Sequence, residues 1–518
     1  VEAALAFGMA ALAMLPAGRA AAQAYPFGTQ HQPFRPGALT VQKFTRAQQN
    51  QHVAAYYDLW KSRWVAVDPQ GKGWRVKLDS SGTTVSEGQG YGMVIVAAMA
   101  GHDPQAKTIF DGLWAFRKAH PSSIDARLMD WNVPDASGND SAFDGDADIA
   151  YGLLMAHAQW GSAGAVNYLA EAKSVIAGIR ASTIGPQSRL PMLGDWVSPN
   201  GSTYSQWTTR SSDFMPGHFR AYGAATGDAA FWSSVVTATQ NVTADIQANE
   251  SAATGLLPDF IRLAGASRDP QPAPANFLEG EHDGRYWYNA GRVPWRLGAD
   301  AVLNNDPVTV AQVQKLSQWA RSSTGGDASK IRGGYQLDGT PLNTWTDHFF
   351  TAPFAVAAMT GSGAADQQWL ESLYSRVYQA HSASNYYSDA VTLQSLLVVT
   401  GNFWDPMYVL AHPPKPGDFN GDGAVDRSDF DKWRQQFGAI AQAGADADGD
   451  GDADGADFLI WQRNLTTLAA AGTAFPLPEP AGVCSLLTAI AGRAVCGRQR
   501  SGSRASLFFS SFRRNRRQ

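Results

Sequence analysis

Val85-Ser86-Glu87-Gly88-Gln89-Gly90-Tyr91-Gly92-Met93 runs without a break into Val94-Ile95-Val96-Ala97-Ala98-Met99. The apolar run reads as a buried helix, and Ser86 is a suitable N-cap for it. Glu87 then stands at the helix mouth, among glycines that let a ligand approach the backbone. An acid in a first turn also has an ordinary structural role, because it complements the helix dipole. A second segment adds weight to the chemical role.

Asp144-Gly145-Asp146-Ala147-Asp148 leads directly into Ile149-Ala150-Tyr151-Gly152-Leu153-Leu154-Met155-Ala156. Ile149, Leu153, Ala156 and Trp160 share one helical stripe. Asp146 is expected as the N-cap and Asp148 as a first-turn acid. Asp144 then precedes the cap and is free to point elsewhere.

Together the two segments resemble glycoside hydrolase family 8. Its members carry Ser-Glu-Gly-x-x-Tyr-Gly around the general acid and Ala-Ser/Thr-Asp-Gly-Asp-x-x-Ile-Ala as a signature. Here the signature reads Ala142-Phe143-Asp144-Gly145-Asp146-Ala147-Asp148-Ile149-Ala150, with Phe143 in place of Ser or Thr. Thr209-Arg210-Ser211-Ser212-Asp213-Phe214-Met215-Pro216 and Arg292-Val293-Pro294-Trp295-Arg296 also fit the family, in family order. The resemblance spans roughly residues 26 to 410.

Composition agrees with a large hydrolase. At 518 residues the chain exceeds one ordinary domain. A net charge of −5 argues against nucleic acid as a partner. The 17 Trp offer indole faces that stack on sugar rings as well as filling cores. Both cysteines, Cys484 and Cys496, lie in the far tail, so the main domain has neither a disulfide nor a thiol nucleophile. Residues 1–24 are expected to be an export signal, truncated at its start. Ala3 to Leu15 is apolar, and Ala22-Gln23-Ala24 is a small-x-small cleavage site. The expected location is secreted or attached to the cell surface.

From Phe44 to about Leu410, helix-like segments alternate with loops rich in Gly, Pro, Asn and Asp. They include Gln48–Trp60, Ala106–His120, Ala163–Ala181, Ala229–Gln247, Val308–Ser322 and Gln367–Ala380. Strand-like alternation is scarce, so the fold class is all-α, built from paired helices. The family resemblance implies an (α/α)6 barrel over 25–410, with its cleft at the N-termini of the inner helices.

A proline linker, 411–416, separates this domain from a short repeat. One copy supplies Asp418, Asn420, Asp422, Ala424, Asp426 and Asp429; the other supplies Asp446, Asp448, Asp450, Asp452, Asp454 and Asp457. These are positions 1, 3, 5, 7, 9 and 12 of a calcium loop. Gly423 and Gly451 stand at position 6, and position 7 ligates through its carbonyl. Asp-Phe-x-x-Trp follows each loop at 429–433 and 457–461. With Asp at position 12 and one helix per loop, residues 417–466 resemble a type I dockerin. That implies a small helical module with two calcium sites and a cohesin-like scaffold or surface protein as partner. Arg427-Ser428 and Gly455-Ala456 replace the usual Ser/Thr recognition pairs, so the partner is not identified by them. Residues 467–518 contain Leu477-Pro478-Glu479-Pro480, an apolar run from Ala481 to Ala491 and several Arg. This resembles a PEP-CTERM sorting tail, and the run is too short for a stable membrane span.

Glycosidic hydrolysis needs an acid for the leaving oxygen and a second carboxylate to attack or to activate water. Glu87 is the expected acid. Its helix-mouth position depresses its pKa, so burial or the Asp144 carboxylate must offset that. The resemblance gives Asp144 the role of holding the distorted sugar. The base is the harder assignment. Many family members have Tyr-Asp-Ala-x-Arg before Pro-Trp-Arg, whereas this chain has Tyr288-Asn289-Ala290-Gly291-Arg292. An amide cannot serve as a base. Asn here resembles a subfamily of chitosanases, lichenases and endoglucanases in which a Glu from an inserted upstream loop takes over. Glu279 is the first choice and Glu281 the second. Asn289, Arg292, Tyr91 and Trp131 are expected to bind substrate, and the chemistry needs no cofactor. The expected function is endo-acting, inverting hydrolysis of a β-1,4-linked polysaccharide, endoglucanase first, chitosanase or lichenase next. The rival expectation is a non-catalytic, calcium-dependent glycan-binding surface protein, which Asn289 would favour.

Overall fold

Among the described residues, twelve α-helices between residues 46 and 399 alternate between two environments. In chain order they are α1 (Arg46–Trp64), α2 (Ser86–Ala98), α3 (Ala106–Ala119), α4 (Phe143–Trp160), α5 (Tyr168–Ser182), α6 (Pro216–Thr226), α7 (Ala229–Asn249), α8 (Val293–Asn304), α9 (Pro307–Thr324), α10 (His348–Ala358), α11 (Ala364–Val377) and α12 (Tyr386–Val399). This computed structural model describes residues 24–465 apart from 79–81, 135–138, 383–384, 414, 422, 440–443 and 448–451. The expected export signal (bar Ala24) and C-terminal tail, with Asp422, Asp448 and Asp450, lie outside the described residues.

The even-numbered helices are buried almost all round, as an apolar run without a polar face requires. They touch in the cycle α2, α4, α6, α8, α10, α12 and back to α2. Each odd-numbered helix packs outside one of them: α3 on α2, α5 on α4, α7 on α6, α9 on α8, α11 on α10 and α1 on α12. That is the expected (α/α)6 barrel. Polar caps start the outer helices. Thr45 and Gln48 form a capping box on α1, and Asp306 caps α9 before Pro307. The helix expected from Ala163 begins later, at Tyr168, where Asn167 supplies the cap.

The two helices that decide the fold start otherwise than expected. Val85, not Ser86, is the N-cap of α2, and Ala142, not Asp146, is the N-cap of α4. Neither cap uses a side chain. Thr84–Val85 pairs with Asn132–Val133, and the Ser86 N–H donates to the Trp131 carbonyl, so the backbone stays extended to Val85. Asp144 therefore lies inside α4, at its second residue, where Glu87 lies in α2. Asp146 and Asp148 fall deeper in α4. Phe143, the departure from the family signature, is fully buried against Phe219.

Strands are short and all antiparallel. β1 (Val65–Val67) pairs with β2 (Trp74–Val76), and β3 (Thr84–Val85) with β4 (Asn132–Val133). β5 (Thr208–Arg210), β6 (Phe260–Ala264) and β7 (Asp269–Pro272) form one sheet in that order. The segment after β7 leads through Phe277 to Glu279.

After α13 (Pro406–Ala411), α14 (Arg427–Gln436) and α15 (Gly455–Asn464) form the small module. Asp426 and Asp454 cap them, in boxes closed by Asp429 and Asp457. The Trp433 indole N–H donates to the Asp454 carbonyl at 2.8 Å, and that of Trp461 to the Asp426 carbonyl at 2.8 Å. The two halves thus brace each other reciprocally.

Helices α2 and α4 meet through glycines. A Cβ on Gly145 would lie 2.5 Å from the Ser86 carbonyl carbon, and one on Gly90 would lie 2.7 Å from the Gly145 oxygen. Gly145→Ala should therefore destabilise the domain by about 1–3 kcal/mol, despite the roughly 1 kcal/mol that Ala adds to helix propensity. Gly164→Ala, where nothing lies within 4 Å, should be nearly neutral. Urea denaturation of both variants checks the contrast; equal midpoints would contradict the close packing.

Candidate active site

Arg292 ends a short 3-10 turn, Ala290–Arg292, that feeds into α8. Its side chain is 1% exposed. Nη1 donates to Glu87 Oε2 at 2.7 Å, Asp144 Oδ2 at 2.7 Å and the Tyr91 hydroxyl at 3.1 Å. Nη2 donates to Ser212 Oγ and Asn289 Oδ1, each at 2.8 Å. A buried guanidinium needs such pairing.

Glu87 is the one residue of α2 that is not fully buried. Its Oε1 accepts from the Tyr386 hydroxyl at 2.6 Å. Burial pushes its carboxyl up; Arg292 pulls it down, Asp144 pushes it further up, and the outcome is about 7. Burial also pushes Asp144 up, but Arg292 and Arg210 outweigh it and hold the carboxyl at about 2. Two acids at equivalent places on adjacent helices are thus driven to opposite protonation states near neutral pH.

Glu279 is joined to Arg292 through the Asn289 amide. Its Oε1 accepts from Arg210 Nη2 at 3.1 Å and its Oε2 from Asn289 Nδ2 at 2.8 Å. Its side chain is 48% exposed, open to the cleft. Asp283 fixes the loop beneath it by accepting the backbone N–H groups of Leu278, Glu279 and Gly280 at 2.6, 3.0 and 2.9 Å. Glu281, 79% exposed, pairs only loosely with His282 at 3.5 Å and does not line the cleft.

The cleft has a volume of about 560 Å³, within the roughly 300–1,000 Å³ of ligand pockets. Glu87, Asp144, Glu279, Asn289 and Trp131 all line it, and Trp131 is 37% exposed. Tyr91 and Arg292 do not. Both are fully buried beneath the floor, where Tyr91 supports Arg292, so their side chains are not placed to touch substrate. Tyr386, Tyr387, Tyr288 and Arg210 line the cleft without having been picked out as site residues. Arg210 and Tyr288 stand within the family motifs; Tyr386 and Tyr387, on α12, reach the cleft through the closure of α12 on α2.

In the small module, carboxylate oxygens of Asp452, Asp454 and Asp457 lie within 4.8 Å of one another. Asp429 and Asp457 are fully buried at the end of each loop. A convergent set of hard oxygen donors fits calcium.

Residues 39–401 match the profile of glycosyl hydrolases family 8, and residues 416–466 match the type I dockerin domain. A beta-glucanase of Niallia circulans is 40% identical over 399 residues, 76% of this chain and 95% of that protein. An endoglucanase of Bacillus sp. strain KSM-330 is 38% identical over 386 residues, 72% of this chain and 80% of that protein. The apo structure of a beta-1,3-1,4-glucanase from Paenibacillus sp. X4 superposes with a TM-score of 0.70 at 39% identity, covering 74% of this chain and 99% of that one.

Removing the Arg292 charge should expose its dependence. Arg292→Met leaves Glu87 and Asp144 facing each other unneutralised and should cost about 3–5 kcal/mol of stability. Arg292→Lys keeps the charge but not the fork that serves five acceptors, and should cost about 1–3 kcal/mol. Urea midpoints at neutral pH measure both; a neutral Arg292→Met would contradict the role described.

Proposed function

The chain belongs to glycosyl hydrolases family 8 and carries a type I dockerin module, and from that premise we propose how its cleft works and on what. It is a glycoside hydrolase. Our reading is an endo-acting, inverting enzyme on β-1,4-linked glucan, with endoglucanase activity first and mixed-linkage glucan or chitosan next. The names of the two enzymes at 38% and 40% identity support a glucan substrate. One observation carries the mechanism: Glu87 and Glu279 line one cleft and are linked through Asn289 and Arg292.

Glu87, raised to about 7, is protonated in weakly acidic solution and gives its proton to the leaving glycosidic oxygen. Tyr386 and Arg292 hold its two oxygens in place. Glu279 takes a proton from the water that attacks the anomeric carbon from the other face. Asp144, kept ionised, holds the sugar and faces the positive charge that develops on the ring. Asn289 and Arg292 link the carboxyls of Glu87 and Glu279 in a hydrogen-bonded chain. An inverting enzyme needs these carboxyls about 6.5–9.5 Å apart, against the roughly 5–5.5 Å of a retaining one. Asn289 does not argue for a non-catalytic protein, since its amide is a hydrogen-bond donor to Glu279. We retain the division into a signal at 1–24, a catalytic domain at 25–410, a linker at 411–416, a module at 417–466 and a tail at 467–518.

Type I dockerin domains bind calcium and imply a cohesin partner. We assign two calcium sites, to loops 418–429 and 446–457, and place the enzyme outside the cell, tethered to a cohesin-like scaffold or surface protein. Among the described residues no helix is long and apolar enough to cross a membrane.

Glu87→Gln and Glu279→Gln should each lower reducing-sugar release from carboxymethylcellulose, mixed-linkage β-glucan and chitosan by about 10²–10⁴-fold with the fold intact. In the wild type, kcat should fall as pH rises through about 7, because Glu87 then loses the proton it must donate. NMR should show an α-configured first product; a β-configured one rules out inversion. An active Glu279→Gln beside an inactive Glu281→Gln would move the base by two residues.

The full chain should bind two calcium ions, counted by equilibrium dialysis. Neutralising Asp426 and Asp429 should remove one, and neutralising Asp454 and Asp457 the other. Chelator should leave glucan hydrolysis unchanged. Loss of hydrolysis on chelation would place a required ion in the catalytic domain.

A further inference from the structure

The Asn at position 289 has a cause on its far side. Asp259 precedes β6 and is 2% exposed. Its Oδ1 accepts the backbone N–H groups of Trp287 at 2.9 Å and Ala290 at 2.7 Å. Its Oδ2 accepts the Asn289 backbone N–H at 3.1 Å and side-chain Nδ2 at 3.3 Å. Its own N–H donates to the Arg285 carbonyl at 2.7 Å. Asp259 is therefore anchored at both ends, and the turn that carries Asn289 is hung on its carboxylate.

The Asn289 amide has an acceptor for its nitrogen on either side and a donor for its oxygen. Nδ2 faces Glu279 Oε2 and Asp259 Oδ2, while Oδ1 faces Arg292 Nη2. Reversing the amide would set its oxygen against two carboxyl groups and its NH2 against a guanidinium. A carboxylate at 289 would be a third acid in contact with the other two. Further charged groups around this cluster are Arg210 from β5, 3.1 Å from Glu279, Arg292 before α8, Asp144 from α4 and Asp213 after β5 beyond Arg210, Glu87 from α2 beyond Arg292, and Asp283 behind the loop. Burial already pushes Asp259 up to about 7 against the pull of its three backbone donors, and Glu279 pushes the same way.

We propose that Asp259 is a positioning residue of the hydrolytic site, which requires an amide at 289 and turns that amide so that its N–H holds Glu279. The inference rests on the assignment of Glu279 as the base. It adds that a neutral donor at 289 gives the base a hydrogen-bond partner, whereas an acid there would set a like charge against Glu279.

The test is the pH profile of kcat/KM for glucan hydrolysis by the full chain. Asn289→Asp is isosteric and leaves the backbone bonds to Asp259 in place. Its acid limb should move to higher pH by about one unit, so that activity well below the limb falls about tenfold further than at the plateau. Asp259→Asn sets an NH2 against Nδ2 of Asn289 and favours the reversed amide, whose oxygen then faces Glu279, so its limb should move the same way. A structural defect alone would lower activity without moving the limb. An unmoved limb in Asn289→Asp, or in Asp259→Asn, overturns the proposal. If Asp259→Asn does not fold, the limb of Asn289→Asp decides alone. Glu279→Gln in the same series separates the two assignments. If it is active, the base assignment fails; if it is inactive and the limb of Asn289→Asp is unmoved, only the role of Asp259 fails.

Discussion

A single buried guanidinium holds this site together. Arg292 reaches the first turns of α2 and α4, the Ser212 hydroxyl and the Asn289 amide at once. Unpaired, a charge at that depth would be costly. The acids that pair with it sit at the second residue of two adjacent inner helices, and the glycine contacts between those helices bring them within reach of one nitrogen. The same nitrogen then serves two different ends. It is strong enough, with Arg210, to keep Asp144 ionised, yet it does not overcome the burial of Glu87. Both carboxyls lie 2.7 Å from that donor, and Asp144 differs in having Arg210 beside it as well, at 3.4 Å.

Much of this was legible in the sequence because it is local. Apolar runs of helical length, polar caps and the calcium-loop spacing are all written within a dozen residues. The helices that begin at Ala106 and Ala229 start where their pattern starts. The acid motif and the Asp144 signature could be placed at helix mouths. What failed was the boundary itself. The pairing of Thr84–Val85 with Asn132–Val133 holds the chain extended up to Val85, and this overrides the capping preference of Ser86. A partner nearly fifty residues away cannot be read from the cap.

The residues missed as site members are missed for the same reason. Tyr386 reaches Glu87 only because α12 closes the ring on α2. Asp259 and Asp283 act on backbone N–H groups, and nothing in their own neighbourhood in the sequence marks that use. Tyr91 erred in the opposite direction. Its place in the motif suggested a sugar contact, but the inner-helix packing puts it under the floor, where it is a hydrogen-bond partner of Arg292.

The proposed acid and the proposed base are mounted on different kinds of support. Glu87 is part of the wall of the ring, while Glu279 rides on a loop that leaves a small sheet and is pinned by the carboxylate of Asp283. The span between them is therefore not a dimension of the barrel. Lengthening or shortening the segment after β7 would reset it without disturbing one turn of an inner helix. On the proposed assignment, the spacing that sets the stereochemical outcome is carried by the periphery, while the ring holds the proposed donor in a fixed frame.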